Sequence, residues 1–512
     1  MKSRHILSTL ALDLGLTAIL LLLLTGPIPV TRADPGSYYV RAGAPGDCLS
    51  ATTPCSSIQQ AINLAGDGDE ILVAVGTYTE NLAVTHGLSL RGGWDTSFTV
   101  QAPAIYPTTI DGSGDHVISA TVETGTALIE GFTVQNGRDG IHLYAGTITV
   151  ARNTVRDASR QGIEIENGQI LLEDNLLTAI EREGIEIDGG TVTVLSNTVD
   201  GVGRHGILVE GGTVTIEDNL IRSVQGEEYH GVRLEVSGVV TGNEILYIGD
   251  RGIEARGGTA VIVNNSVRNA GGDGIRTADT STGVEIRGNT VYNAGNDGID
   301  ARGTAVTVAG NTVSDCADNG IKSEGASHTF INANQVYEDG DAGIDLDNAG
   351  TFTVTNNIVA GSSVASVLIQ NNAGPHNFLY HNTLVGSATG QQGIGISVTV
   401  TGITITLANN IVVSHSVGIT ATPGATLVVS STLLWGNGED PTGGTFLFPP
   451  LFVAPAQHNY HLQPDSPAID VGIDVGVASD VDGDTRPIGD LPDIGADEVR
   501  LRTFIPLVLR DY

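Results

Sequence analysis

The chain is poor in positive charge, sulfur and aromatic rings, and each shortage excludes something. Only two lysines occur, Lys2 and Lys322, and 24 basic residues face 58 acidic ones, for a formal net charge of −34. Nucleic acid and anionic membrane surfaces both require basic patches, so neither is expected as a partner. Neutral or basic glycans and divalent cations remain compatible. Met1 is the only methionine, and no cluster of soft ligands exists, which disfavours a copper-maturation role. Aromatics are 4% of the chain against 68 glycines, a balance that fits a turn-rich β solenoid better than one globular core. Of three cysteines, Cys48 and Cys55 form a close pair, expected as a short-loop disulfide in an oxidising compartment. Cys316 has no partner in sequence and reads as a free structural thiol.

Export is the first positive signal. Lys2 and Arg4 precede an apolar stretch from Ile6 to Leu24 broken by Asp13, and Thr31-Arg32-Ala33 offers a small-x-small cleavage site. Residues 1–33 read as a signal peptide, with an uncleaved anchor through Leu20–Leu24 as the alternative. No second span appears, so a secreted or cell-surface protein is expected, as a monomer.

The dominant feature is a repeat. Gly-Ile (once Gly-Val) pairs recur at Gly140, Gly162, Gly184, Gly206, Gly231, Gly252, Gly274, Gly298, Gly320 and Gly343, then at Gly393 and Gly418. The steps lie between 21 and 25 residues until a double step of 50. An Asn followed two residues later by an aliphatic keeps the same beat from Asn153 to Asn410. Such a period means a solenoid. Within Gly184 to Arg204, three short segments alternate apolar and polar: Ile185-Glu-Ile187, Val192-Thr-Val194 and Asn197-Thr-Val199. Period-two alternation makes each a strand with Ile and Val inward. A leucine-rich repeat would need Leu at the concave positions and often a helix on the convex side; here every side reads as β. The expected fold is all-β: a right-handed parallel β-helix with three strands per coil of about 22–25 residues. Stacked Asn amides are expected to bond from coil to coil.

Residues Ser57 to Leu90 read SIQQAINLAGDGDEILVAVGTYTENLAVTHGLSL. This resembles the entry segment of the secreted right-handed β-helix family related to pectate lyases: a short amphipathic helix, a Gly-Asp-Glu-Ile turn, then Gly-Thr-Tyr-x-Glu. The resemblance, which also embraces carbohydrate-binding and sugar-hydrolase proteins, covers roughly residues 37 to 435. It implies an N-terminal helical cap over the open end of the solenoid. Ser466 to Glu498 resembles the closing segment of large secreted bacterial β-helix proteins, and the terminal FIPLVLRDY is similar to tails of exported proteins. The organisation expected is signal peptide 1–33, cap and first coils 34–110, repeats 111–435, and closing segment and tail 436–512.

Chemistry is expected on the outer face. After each Gly-Ile one outward row runs His142, Glu164, Glu186, Leu208, Arg233, Glu254, Arg276, Asp300, Lys322, Asp345. A second runs Tyr144, Glu166, Asp188, Glu210, Glu235, Arg256 and onward. An arginine pile, Arg138, Arg160, Arg182 and Arg204, is expected to neutralise Glu164, Glu166, Glu186 and Asp188. Carboxylates one rung apart would sit near the ~5 Å of a retaining glycosidase, and two rungs apart near the ~9.5 Å limit of an inverting one. A lyase would use carboxylate-bound Ca²⁺. The spacing admits each and selects none, so enzyme status stays open between lyase, hydrolase and no catalysis.

One irregularity narrows the search. The Gly206 to Gly231 step carries three extra residues within Gln225 to His230. It brings Tyr229, a candidate sugar-stacking ring, beside His205 and His230. The candidate catalytic set is Glu186, Asp188, His205, Glu210, His230, Arg233 and Glu235, with Tyr229 and Arg204 binding substrate. His230 and Glu235 are expected to be exposed. Asp480-Val-Asp482-Gly-Asp484 has the alternating carboxylates of a calcium loop without the downstream Glu. The function expected is binding, with cleavage left open, of polysaccharide or a cell-surface glycan. The alternative is a non-catalytic adhesin or spacer, favoured by uniformly short turns.

Overall fold

The computed structural model describes residues 36–500 apart from 372, 373, 375, 388–391 and 442. The expected signal peptide and the terminal FIPLVLRDY lie outside the described residues. A typical coil has three short strands joined by turns, as in Ile185–Ile187, Thr191–Leu195 and Thr198–Val202, while in Ile118–Glu130 and Ile141–Ala151 the first two run together. Every strand pairs in parallel with its equivalent one coil on. The third strands alone form a 16-stranded sheet, from Gly76–Tyr78 to Leu433–Trp435. The polypeptide is a parallel β-helix.

Coil stacking explains the glycine. A β-carbon on Gly184 would stand 2.6 Å from the carbonyl oxygen of Gly206 and 2.5 Å from a Val199 methyl. At Gly184 no side chain fits, because the next coil approaches so closely. The isoleucines that follow stack as Ile163, Ile185, Ile207, Val232, Ile253, Ile275 and Ile299, all fully buried.

The asparagine row is a continuous ladder. Asn175 donates its backbone N–H to Asn197 Oδ1 at 3.0 Å, and its Nδ2 donates to the same oxygen and to the Val150 carbonyl. The pattern repeats to Asn410. The residue before each ladder Asn is left-handed, with φ near +55° at Asp174, Ser196, Asp218 and Asn264. Sharp turns of this hand favour Asn, Asp and Gly, and the buried amide then saturates the groups the turn leaves unpaired.

One register differs from expectation. Ile344 pairs with Val367, which pairs with Ile396, which pairs with Ile419. The glycine equivalent in that coil is therefore Gly395, not Gly393, and Ser366 takes the glycine place in the coil before. A two-residue slip preserves the inward face in an alternating strand, so alternation alone could not detect it. The coil from Ser366 to Gly395 is the longest between Gly140 and Gly418.

At the N-terminal end, Ile58–Leu64 forms the expected helix, capped by Ser57 Oγ accepting from the Gln60 N–H. Glu80, the acid of Gly-Thr-Tyr-x-Glu, accepts from the N–H groups of Ile58 and Gln59 and from the Ser57 hydroxyl. Cys48 and Cys55 are bridged, and Cys316 is free and buried. At the other end, residues after Trp435 stop coiling. A hairpin of Phe452–Ala454 and Asn459–Leu462 leads into a closing segment that runs back along the coils. His381 bonds the Asp493 carbonyl, and Asn356 and Asn409 donate to the carbonyls of Ser479 and Ile473. Fully buried Arg486 anchors the segment through Glu498 and the carbonyls of Asp493, Gly495 and Ala496.

An Ile207→Asp variant places a charge in the Ile stack with no partner, at a cost of several kcal/mol. Its expected outcome is loss of the cooperative melt or insolubility. A soluble variant melting with the parent would contradict the inward assignment.

Candidate functional site

The outer face of the Gly-Ile strands carries the charged rows in the register expected. Glu164 pairs across from His142 and Glu186, Arg233 from Leu208 and Glu254, and Lys322 from Asp300 and Asp345. The predicted residues fall into two groups with different roles.

Glu186, Asp188 and Glu210 come together: a ligand oxygen of each lies within 4.8 Å of the others. Burial, then neighbouring carboxylates, push Glu186 up despite Gln161 Nε2 bonding it. Burial and Glu210 likewise push Asp188 up. The arginine pile does not neutralise this set. Arg182 and Arg204 reach Glu183, at 3.4 and 3.5 Å, while Arg138 and Arg160 reach Asp139. The pile finds acids in the row just before each glycine, because that row lies beside it on the turn. Arg233 instead bonds Glu235 two residues on, Nε to Oε1 at 2.7 Å.

The histidine pair is a correction. His230, expected at the surface, is buried, as is His205, and Glu235, also expected to be exposed, is half-buried. His205 Nδ1 accepts the His230 N–H at 3.0 Å, and His230 Nδ1 stands 3.4 Å from the Arg251 N–H. The same row does the same work elsewhere. Asp139 accepts from the Gln161 N–H, Asp297 from the Asn319 N–H, and Asn319 from the Ala342 N–H. The row before the glycines is therefore an interrupted second acceptor ladder along the turn, broken where Arg251 and Ala342 cannot accept, and His205 and His230 serve as its imidazole rungs. Burial, then His230, lowers His205 to about 3, so it stays neutral. His230 Nε2 also meets Glu254 at 3.0 Å. Burial opposes the Glu254 charge, but His230, Arg251 and Arg256 outweigh it and hold Glu254 at about 2. Tyr229 is corrected too. The Arg204 guanidinium sits 5.7 Å over its ring, His205 lies edge-on at 5.3 Å, and Gly226 folds against it at φ +104°. The insertion is a folded turn rather than an open platform.

The expected calcium loop is likewise a turn. Asp480 accepts from the N–H groups of Asp482, Asp484 and Glu498, while Asp484 pairs with Arg500. Asp482 faces His461 instead, with Asp497 alongside. The three aspartates do not converge.

Two features escaped the sequence reading. The first is a knot of His116, Asp139, His142 and Glu164 with Arg138, Tyr144 and Glu166 around it. His116 belongs to a coil with Val117 in the glycine place, which a count keyed to Gly-Ile passes over. Burial and His142 lower His116; burial also opposes a charged His142, but Glu164 and Glu166 prevail and raise it. The second feature is on the second strands. Thr307, Phe330, Thr353 and Phe378 align outward in successive coils. With His328, Thr351 and His376 they line a groove of about 480 Å³ that contains no Asp, Glu, Lys or Arg. Next to it, Val475 to Ser479 of the closing segment wall a cavity of about 320 Å³ against Phe330, Thr353 and Tyr380. The alternation of Thr with Phe at this position is legible in the sequence, but it lies on the second strand, away from the Gly-Ile row.

The sequence pattern of the right-handed β-helix region matches residues 115–263 and 251–434. The chain belongs to that family. Over 113 residues it is 30% identical to a cell surface glycoprotein of Methanothermus fervidus, a match covering 22% of this chain and 17% of that protein. The chain thus spans under a fifth of that relative's length. Among solved structures, a periplasmic alginate epimerase variant aligns over 60% of this chain and 77% of its own, at 12% identity and a TM-score of 0.39. A pectate lyase aligns over 91% and 97%, at 15% identity and 0.22. The A-module of a mannuronan C-5 epimerase from Azotobacter vinelandii aligns over 80% and 98%, at 16% and 0.34.

Two outcomes follow from this geometry. His230→Ala removes a buried ladder acceptor and the Glu254 partner, so it should lower stability by about 1–3 kcal/mol; an unchanged melting temperature would return His230 to the surface. Asp345 is pushed up to about 7, chiefly by burial and then by Asp347. A raised folded pKa means the group's contribution is complete below about pH 4 and is lost as pH rises through 7. Asp345→Asn should flatten that decline, on the order of 3 kcal/mol, in denaturant titrations at pH 4.5 and 7.5. Parallel pH profiles of variant and parent would refute the assignment.

Proposed function

We propose that the protein is an exported, elongated surface protein that binds polysaccharide along its outer β face. The observation that carries the reading is the uncharged groove of Phe330, Thr353 and Phe378 in a chain of net charge −34. Phe330 is 40% exposed, and its ring lies two coils from Phe378, roughly 10 Å at the parallel-strand spacing. Flat rings at that interval, with threonine hydroxyls between them, suit an extended chain of sugar rings: apolar faces stack and hydroxyls exchange hydrogen bonds. The closing segment supplies a wall that the short turns elsewhere do not. Export is supported by the N-terminal apolar stretch, by the Cys48–Cys55 bridge, and by similarity to a cell surface glycoprotein.

A cation such as Ca²⁺ would serve the reading at Glu186, Asp188 and Glu210, where it could join these carboxylates to an acidic glycan. Cleavage is not required by the reading. The acidic rows admit it, and product analysis for new reducing ends or unsaturated uronates, with and without EDTA, would detect it.

Glycan-array binding tests the proposal. Phe330→Ala and Phe378→Ala should each weaken binding five- to tenfold, from about 1 kcal/mol of lost stacking, with the melting temperature unchanged for exposed Phe330. If the parent binds no glycan on the array, the spacer reading replaces this one.

A further inference from the structure

We propose that His116, Asp139, His142 and Glu164 form a site for a divalent transition-metal ion of borderline softness, with Zn²⁺ as the probe. This site is independent of the polysaccharide groove. One ligand atom from each residue lies within 4.8 Å of all the others. His116 Nδ1 stands 3.1 Å from His142 Nδ1 and 2.9 Å from Asp139 Oδ2, and His142 Nδ1 stands 3.1 Å from Glu164 Oε2. Bonds of ~2.0 Å to a tetrahedral ion place neighbouring ligand atoms roughly 3.3 Å apart. Three edges of such a tetrahedron are therefore already close to length.

Independent features point the same way. Asp139 and His142 are buried, and Glu164 Oε2 is enclosed without a hydrogen bond although His142 is in ionic range. The two Nδ1 atoms face each other at 3.1 Å, a spacing bridged by one proton in the free site and by the ion once both nitrogens present lone pairs. The outer contacts are those that orient metal-bound histidines. His142 Nε2 meets Glu166 at 3.1 Å, and the Tyr144 hydroxyl lies 3.3 Å from His116 Nε2. Asp139 keeps Oδ1 for the Gln161 N–H, which fixes its carboxylate while Oδ2 faces the site.

The donor set selects the ion. Two imidazoles and two carboxylates suit Zn²⁺ and its neighbours, whereas Ca²⁺ takes six to eight oxygens and Cu⁺ prefers thiolate or thioether. Arg138 competes for the same groups, donating Nε to Asp139 Oδ2 at 3.1 Å and Nη2 to His116 Nε2 at 3.0 Å. Metal binding moves the His116 proton from Nδ1 to Nε2, where Tyr144 accepts it, and the half-exposed arginine turns toward Asp115. The ligands come from three successive coils, so the ion would clip the start of the array.

The test is isothermal titration of the full exported chain with Zn²⁺, together with Co²⁺ absorption in the visible region. One ion per chain and a tetrahedral Co²⁺ spectrum are expected. His116→Gln and Glu164→Gln should each weaken binding at least tenfold and abolish that spectrum, while Arg138→Gln should tighten binding. Circular dichroism checks that each variant is folded; if one is not, the other decides. The proposal is overturned if the parent binds no Zn²⁺ at micromolar concentration or if a folded ligand variant binds like the parent. It is overturned equally if the ion is lost in Asp482→Asn, which would place it at His461, Asp482 and Asp497.

Discussion

Parallel stacking of equal coils makes each residue the neighbour of its own equivalent, about 4.8 Å away. Whatever a position contains is therefore repeated against itself, and only side chains that tolerate such company can occupy it. Isoleucine and valine gain dispersion contacts from the stack. Asparagine gains more, because one amide can donate to the next amide and to a carbonyl of the preceding coil while accepting a backbone N–H. Glycine is required where the coil carbonyl would touch a β-carbon. The three repeating residues of the sequence are three answers to one spatial constraint.

Charge answers the same constraint differently. Like charges at neighbouring rungs repel, and the chain separates them by several devices. The arginine pile leans on Asp139 and Glu183, one position along the turn. Arg233, Arg251 and Arg256 surround Glu254. Lys322 separates Asp300 from Asp345, yet burial still pushes both aspartates up to about 7. Glu186, Asp188 and Glu210 lack such a device among the described salt bridges, which makes them the least compensated part of the face.

The turn before each glycine shows how a structural ladder can imitate a site. A histidine beside another histidine at a broken period looks like acid-base chemistry. In the structure the rings accept backbone N–H groups as the Asp and Asn of that row do elsewhere. A departure that walls a cavity lies elsewhere, in the closing segment laid against the second strands.

Period and alternation in the sequence determined the fold, the inward residues and the asparagine ladder, the resemblance carried by Ser57 to Leu90 implied the helical cap, and the closeness of Cys48 to Cys55 implied the disulfide, because each depends on neighbours one coil away or nearer in the chain. Only the tertiary structure decided which outward side chains are covered and what they meet. His230 and Glu254 are buried by neighbours from adjoining coils, Tyr229 is half-buried by the fold of its own insertion, and Asp480 is covered by backbone donors of the closing segment. The Gly395 register was equally hidden, since a two-residue slip leaves alternation intact. His116 joins its partners across coils whose alignment no local pattern marks, because Val117 stands where the repeat has glycine. Burial and encounter across the stack are properties of the assembled coils, and they separate a structural rung from a binding surface.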